Sequence, residues 1–370
     1  MKTKAAVLYE VGKPFEIEEL ELAPLGEGEV LVRNLYSGLC HSDVHLMTGD
    51  LPLNAPIVGG HEGSGIVEDV GPGVSRVKPG DHIVMSFIPS CGTCKWCATG
   101  QQAICDWGAT ILEGSLPGGR WPLRGKAGTV GAFCMLGTFS QYSVVHQNSA
   151  IRVDPATKMD TAALVGCGVP TGWGSAVNVA AIRPGHVVVI YGIGGIGINA
   201  VQGAAMAGAK HVIAVDPLAN KRAAAKDFGA THAVGTAAEA HELAKDLTRG
   251  VGADSSIVTV GRLDEDTISA AVDAISKGGT VVLTGMGSLT EKTVHVPGTV
   301  LGLYKKTIKG TVFGDCNPTV DIPRLIDLFN HGTLKLEELV TKRYALEDVN
   351  KGYDDLLAGD NIRGLLVHEH

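Results

Sequence analysis

The chain has 370 residues, 45% hydrophobic and 19% charged, and a formal net charge of −8. That length exceeds one ordinary core and predicts two domains of about 100–200 residues each. No block of lysine or arginine breaks the acidic balance, which argues against a nucleic-acid partner. The longest apolar run is interrupted by glycines and ends in Asp216, which argues against a membrane span.

The opening "MKTKAAVLYEVGKPFEIEELEL" alternates like a first strand and has no apolar signal region. A cytoplasmic chain with reduced thiols is therefore expected. "EGEVLVRNLYSG", "GSGIVEDVGPG", "PGDHIVMSFIPS" and "TFSQYSVVHQNSAIRV" then read as short strands punctuated by glycine and proline. They predict a β-rich, barrel-like domain over residues 1 to about 150.

Within that stretch, "CGTCKWCATGQQAIC" holds four of the eight cysteines. Cys91, Cys94 and Cys97 at x2 spacing, with Cys105 following, can wrap one ion tetrahedrally, and backbone N–H groups can stabilise the thiolates. Four sulfurs leave no open position, so the cluster reads as a structural zinc site. Redox cysteines or an iron–sulfur cluster are the competing readings.

From about residue 170 the rhythm changes. "HVVVIYGIGGIGINAVQGAAMAGAKHVIAVDP" reads as a buried strand, a glycine turn, a helix and a second buried strand. "SSIVTV", "GGTVVLTGM" and "TIKGTVFG" follow as further strands, which predicts an α/β, doubly wound parallel sheet. Gly192, Gly194 and Gly197 give G-x-G-x-x-G, with Gly195 and Ile196 inside the turn. Gly192 permits the turn, Gly194 admits a pyrophosphate, and Gly197 allows close helix–strand packing. Asp216 ends the next strand. There it can accept hydrogen bonds from a ribose and repel a 2′-phosphate, which favours NAD over NADP. Lys221 can steady the same ribose or be a solvated helix lysine. The bland alternative is a glycine turn in some other α/β sheet. Last come a helix, "VDIPRLIDLFNHG", and a strand, "NIRGLLVHEH".

Three residues raise a second metal question: Cys40 in "SGLCHSDVH", His61 in "GGHEGSG" and Cys167 in "LVGCGVPTGWG". Two thiolates and an imidazole make an open zinc site. Singly, each cysteine also reads as a small buried side chain, and the histidine as a turn cap.

"GHEGSGIVEDVGPGV", together with the four-cysteine lobe and "GIGGIG", resembles the zinc-dependent alcohol dehydrogenases of the medium-chain dehydrogenase family. The resemblance runs from "KAAVLYEVGKPFEIEEL" to "NIRGLLVHEH". It implies a GroES-like β-rich catalytic domain over 1–165 and 306–370, with the zinc lobe at 91–105, and a Rossmann domain over 166–305. The active site is implied to lie in the cleft between them. It implies two zinc ions per chain and NAD(H), with Cys40, His61 and Cys167 on the catalytic zinc. Glu62 would stand behind that metal and Asp43 would orient His61. Ser42 and His45 match a proton relay from the alcohol through a ribose hydroxyl to solvent. His41 stands where some members carry a pyrophosphate-binding arginine, and Arg363 resembles a second pyrophosphate contact. Thr171 would pack beside the nicotinamide, and the carbonyl near Met286 would meet its carboxamide. The reaction implied is interconversion of an alcohol with an aldehyde or ketone. The resemblance also implies a homodimer or homotetramer, with "TVHVPGTVLGLYKK" as a joint.

"CHSDVHLMTGDLP", "CGVPTGWGSAVN" and "FGDCNPTVDIPRLIDLF" are most similar to a bacterial branch, the N,N-dimethyl-4-nitrosoaniline-dependent alcohol dehydrogenases, some of which retain their NAD(H). Phe87, Leu51, Trp107 and Leu136 are candidate pocket residues for a medium or bulky apolar alcohol. Cys134 and Cys316 read as plain buried thiols. The alternatives are a thiol-adduct formaldehyde dehydrogenase, which needs a cationic docking site, and a zinc-free or non-enzymatic relative. Arg120, Arg124 and Lys126 are the cations available for such docking.

Overall fold

The computed structural model describes residues 1–52 and 54–370. It divides into two compact units, Met1–Cys167 with Asn317–His370, and Gly168–Cys316. No described helix is long and apolar enough to cross a membrane.

The first unit is β-rich. Lys2–Leu8, Glu16–Leu22, Leu123–Gly125, Gly128–Ala132 and Ile57–Val58 close into a barrel. A second, seven-stranded sheet is built around Glu29–Gly38, which is flanked by Gly63–Val70 and Arg363–Val367 and also pairs with Tyr142–His146. Alternation explains the packing. Val30 and Val32 point inward to meet Val67, Ile83, Met85, Leu136 and Val145, all fully or almost fully buried. Each such side chain contributes about 1.5–3 kcal/mol of burial free energy.

Two features of this unit deliver side chains to the site. Leu365 pairs antiparallel with Gly38, and Leu39 N–H donates to Gly364 O at 3.0 Å. The strand that carries Arg363 is thereby laid beside Leu39 and Cys40. At the end of Glu29–Gly38 the chain turns into the helix His41–Thr48, with Cys40 as its N-cap.

The second unit is a six-stranded sheet of β1 (Val187–Tyr191), β2 (His211–Val215), β3 (His232–Val234), β4 (Ala253–Val258), β5 (Ile275–Leu283) and β6 (Thr307–Gly310). The order is 3-2-1-4-5-6 and every pairing is parallel, the doubly wound order of a dinucleotide-binding fold. β1 reads VVVIY and is buried at all five positions, as a strand covered on both faces must be. Val189, Ile213, Val258, Val272 and Val281 form its core with Ala240 and Ala271. Because β6 pairs with β5, this unit continues to Cys316 and does not stop at 305, the boundary read from the sequence.

Ile190 sits fully buried at the centre of that sheet. Ile190→Ala is expected to cost about 2–5 kcal/mol, the range for truncating a packed aliphatic side chain, read as a lower denaturation midpoint by circular dichroism.

Candidate active site

Three separate segments of the first unit bring four donors together. Cys40 occupies the N-cap of His41–Thr48 in an extended conformation (φ −122°, ψ 150°). His61 and Glu62 lead into the strand Gly63–Val70. Cys167 follows the short turn Ala163–Gly166, held at φ −148° and ψ −74°. One ligand atom from each of Cys40, His61, Glu62 and Cys167 lies within 4.8 Å of the others. All four side chains are buried.

Around this cluster the electrostatics are demanding. Asp43 is fully buried, and its Oδ1 accepts from Gly60 N–H at 2.8 Å while Oδ2 stands 3.2 Å from His61 Nδ1. Burial alone would lower the His61 pKa, but Asp43 and Cys40 raise it well above the ordinary value. A hydrogen bond with Cys167 holds the Cys40 thiol well below its usual value, against burial and with help from the His61 charge. The same hydrogen bond, reinforced by burial, pushes Cys167 up. Burial lifts Glu62 to about 7 even though the Arg363 guanidinium is bonded to it.

The donor set fits a zinc ion. His61 Nε2 is buried and has no hydrogen-bond partner among the described residues, an arrangement that costs free energy unless another group binds there. Two adjacent buried thiols cannot both ionise cheaply, whereas a divalent cation stabilises both thiolates. Two sulfurs and one imidazole are borderline-soft ligands suited to zinc, and three such ligands leave an open position.

The second cluster lies in the lobe. One ligand atom from each of Cys91, Cys94, Cys97 and Cys105 lies within 4.8 Å of the others. All eight cysteines of the chain are free of disulfides. Thr93 N–H and Cys94 N–H point at Cys91 Sγ (3.4 and 3.3 Å), Cys97 N–H at Cys94 Sγ (3.5 Å) and Cys91 N–H at Cys105 Sγ (3.3 Å). Burial opposes ionisation of Cys91, yet these amides bring its thiol down to about 6. Amides aimed at sulfur are what a thiolate cluster around a cation requires.

In the second unit the glycine turn follows β1. Gly192 has φ +84°, and a Cβ on Gly197 would lie 1.9 Å from Gly192 O, so neither position tolerates a side chain. Thr259 Oγ1 donates to Gly192 O at 2.6 Å and closes the turn. A Cβ on Gly194 would meet nothing within 4 Å, which leaves room for a close ligand there. Gly195 and Ile196 complete the turn, and Ile196, the N-cap of Gly197–Met206, supplies no side-chain cap. This cradle suits a pyrophosphate. Asp216 is buried and accepts from Ile193 N–H (2.8 Å) and Leu218 N–H (2.9 Å). Lys221 is buried near it, its pKa lowered by burial and partly restored by Asp216.

The remaining sequence candidates fall in varied places. Ser42 Oγ lies 3.5 Å from Cys40 Sγ. His45 is buried with Nδ1 3.0 Å from Asp50 Oδ2. His41 is half-buried, its pKa lowered by burial, with its ring centroid 5.5 Å from that of His45. Thr171 lies buried on the helix Gly168–Gly174, its carbonyl accepting from Ser175 Oγ at 2.6 Å. Met286 O accepts from Leu263 N–H at 2.8 Å. Arg363 is buried on Glu62 and Leu39 O, a position beside the four-donor cluster that its sequence context did not disclose. Phe87 and Phe133 present their rings edge-on to His61 at 6.0 and 5.4 Å, and only the first was read from sequence. Leu136 packs in the sheet core, and Leu51 is buried. Trp107 is 40% exposed and packs on His146, so nothing places it at this cluster.

A buried zinc-type donor set in the β-rich unit and a phosphate cradle in the doubly wound unit together define a metal-dependent dehydrogenase. Comparison with known proteins agrees. The description "Alcohol dehydrogenase GroES-like domain" matches residues 26–155 and "Zinc-binding dehydrogenase" matches 195–331. The NDMA-dependent alcohol dehydrogenase of Amycolatopsis methanolica is 56% identical over 368 residues, covering 100% of this chain and 99% of that one. Among solved structures, an alcohol dehydrogenase zinc-binding domain protein from Burkholderia ambifaria has a TM-score of 0.93 at 33% identity, covering 100% of both chains. Benzyl alcohol dehydrogenase from Acinetobacter calcoaceticus has a TM-score of 0.93 at 29% identity, again covering 100% of both. The chain belongs to the zinc-dependent alcohol dehydrogenases of the medium-chain family, with a GroES-like unit and a Rossmann unit.

Removing one member of the buried Arg363–Glu62 pair leaves an uncompensated charge. Arg363→Met is expected to cost about 3–5 kcal/mol. Glu62→Gln combined with Arg363→Met should recover most of it, as read from urea denaturation midpoints.

Proposed function

We propose that the chain interconverts an apolar primary or secondary alcohol with its aldehyde or ketone, using NAD(H) and one of two bound zinc ions. The observation that carries this reading is the buried Cys40–His61–Glu62–Cys167 cluster with its unpartnered His61 Nε2. When bound, zinc would supply a Lewis acid that acidifies the alcohol hydroxyl, and NAD would supply the hydride acceptor.

The chain's own residues do the rest. Cys40, His61 and Cys167 would hold the catalytic ion. The Asp43 carboxylate favours the His61 tautomer with hydrogen on Nδ1, which leaves Nε2 as the metal ligand. Gly60 N–H anchors Asp43 in turn. Glu62, neutralised by Arg363, stands behind the ligand set without adding net negative charge. Ser42, beside Cys40, would take the alcohol proton and His45 would release it to solvent, with a bound cofactor supplying the hydroxyl between them. The edges of Phe87 and Phe133 line the approach to His61 with apolar surface, which excludes water and favours an apolar alcohol.

Gly192 to Gly197 would cradle the pyrophosphate. The Asp216 carboxylate would bind the adenosine ribose and reject a 2′-phosphate, with Lys221 beside it. Cys91, Cys94, Cys97 and Cys105 would hold the structural zinc. A thiol-adduct substrate is disfavoured because its candidate cations are already engaged. Arg120 pairs with Glu29 at 3.2 Å, Lys126 with Glu16 at 2.6 Å, and Arg124 donates to Trp121 O and Leu123 O. Eight free cysteines accord with a reducing cytoplasm. Among the described residues β6 ends its sheet with β5 as its one strand neighbour and is mostly exposed, which accords with assembly into a homodimer or homotetramer.

Purified protein is expected to hold two zinc ions per chain by metal analysis. Cys167→Ala should hold one, lose alcohol oxidation by at least about 100-fold and still bind NADH by fluorescence; a variant that kept two ions and full turnover would contradict the ligand set. Asp216→Gly should raise the NADP to NAD ratio of kcat/KM by about tenfold or more, since it removes charge repulsion at the 2′ position. An unchanged ratio would place the ribose elsewhere.

A further inference from the structure

The helix His41–Thr48 ends in Gly49 at φ +81°, and this left-handed turn swings the next residue back along the helix. Leu51 N–H donates to His45 O at 3.0 Å and pins the returning chain. Asp50 is thereby set against the last turn. Its Oδ2 lies 3.0 Å from His45 Nδ1 and accepts from Thr48 Oγ1 at 3.0 Å. The His45 side chain is only 4% exposed, whereas that of Asp50 is 16% exposed. The carboxylate therefore stands between a buried imidazole and water. His41, with its ring centroid 5.5 Å from that of His45, is the neighbouring titratable ring.

We infer that Asp50 is a positioning residue for proton removal: it holds His45 with hydrogen on Nδ1, makes Nε2 the nitrogen that accepts the relayed proton, and links the charged ring to solvent. This rests on the relay reading of His45. A neutral imidazole carries one hydrogen, and the partner of one nitrogen decides which nitrogen is bare. A carboxylate only accepts, so Asp50 fixes the hydrogen on Nδ1. The incoming proton adds to Nε2 and gives an imidazolium beside a carboxylate. Water then takes one proton and the neutral ring is restored. No heavy-atom bond changes and nothing is oxidised or reduced. An asparagine at position 50 can turn its NH2 toward Nδ1 instead. That favours the opposite tautomer, whose Nε2 already carries hydrogen and cannot accept.

The test compares Asp50→Asn, Asp50→Glu, His45→Ala and the His45→Ala/Asp50→Asn double variant. Proton–nitrogen correlation spectra of 15N-histidine protein, without added cofactor, read the His45 tautomer directly; the His45→Ala spectrum assigns the signal. Hydrogen on Nδ1 is expected in the parent and in Asp50→Glu, and a shift toward Nε2–H in Asp50→Asn. The kcat for alcohol oxidation at neutral pH should fall about ten- to a hundredfold in Asp50→Asn, within the range of a misplaced general base. It should fall no further when Asp50→Asn is added to His45→Ala. Small imidazole buffers should restore part of the Asp50→Asn loss. An unchanged tautomer, an unchanged kcat, or an equal loss in the His45→Ala background would overturn the inference. Full turnover in His45→Ala would overturn the relay itself, and the role of Asp50 with it.

Discussion

A cluster of four buried donors is the constraint around which the first unit is organised. Cys40, His61, Glu62 and Cys167 are all buried. Buried charge is costly unless paired, and these groups are paired in layers. Asp43 faces His61, Arg363 faces Glu62, and the two thiols share a hydrogen bond. Asp43 comes from the helix His41–Thr48 and Arg363 from the last strand. The central sheet and the returning strand Arg363–Val367 must therefore be in register before the cluster is balanced. Removing the sheet register would strand charges, not merely loosen packing.

The glycine turn illustrates the opposite economy, in which short-range chemistry suffices. A buried strand, three glycines and an acidic residue at the next strand end lie within one stretch of sequence. Local sterics fix their geometry: Gly192 because φ is positive, Gly197 because its helix meets Gly192 O. The lobe is similar, with four sulfurs inside fifteen residues and amides turned toward them by the same tight turns. Such features are legible in a sequence because the residues that interact are also neighbours in the chain.

Where partners are far apart in sequence, legibility declines. From the residues alone, Cys40, His61 and Cys167 could form an open metal site or be separate core and turn residues, and the family resemblance favoured the first. Arg363 read as a phosphate contact, and nothing in the sequence signalled that its guanidinium also lies on Glu62, a pairing that depends on how the last strand enters the sheet. Phe133 gave no signal, since an aromatic beside a cysteine in a glycine-rich stretch is ordinary core. Trp107, a candidate pocket residue, packs on His146, a contact between residues far apart in the chain that the sequence did not signal. "TIKGTVFG" read as a strand of the parallel sheet, yet the boundary at 305 that the family resemblance implied cut it from the unit whose β5 it pairs with. Asp50 was visible in principle: an acidic residue just past a helix-ending glycine can turn back onto a histidine in the last turn.

The way the two units share the chain has a consequence for biosynthesis. Residues 168–316 form an uninterrupted unit, whereas the first unit draws on segments from both sides of it. During translation the ribosome therefore finishes the Rossmann sheet while the other unit still lacks its returning strand. Until residue 363 emerges, Glu62 has no guanidinium to face. The nascent chain thus carries an incomplete first unit throughout synthesis of the second, and a chain arrested before residue 363 would leave the metal-binding cluster electrostatically unbalanced however well its glycine turn had formed.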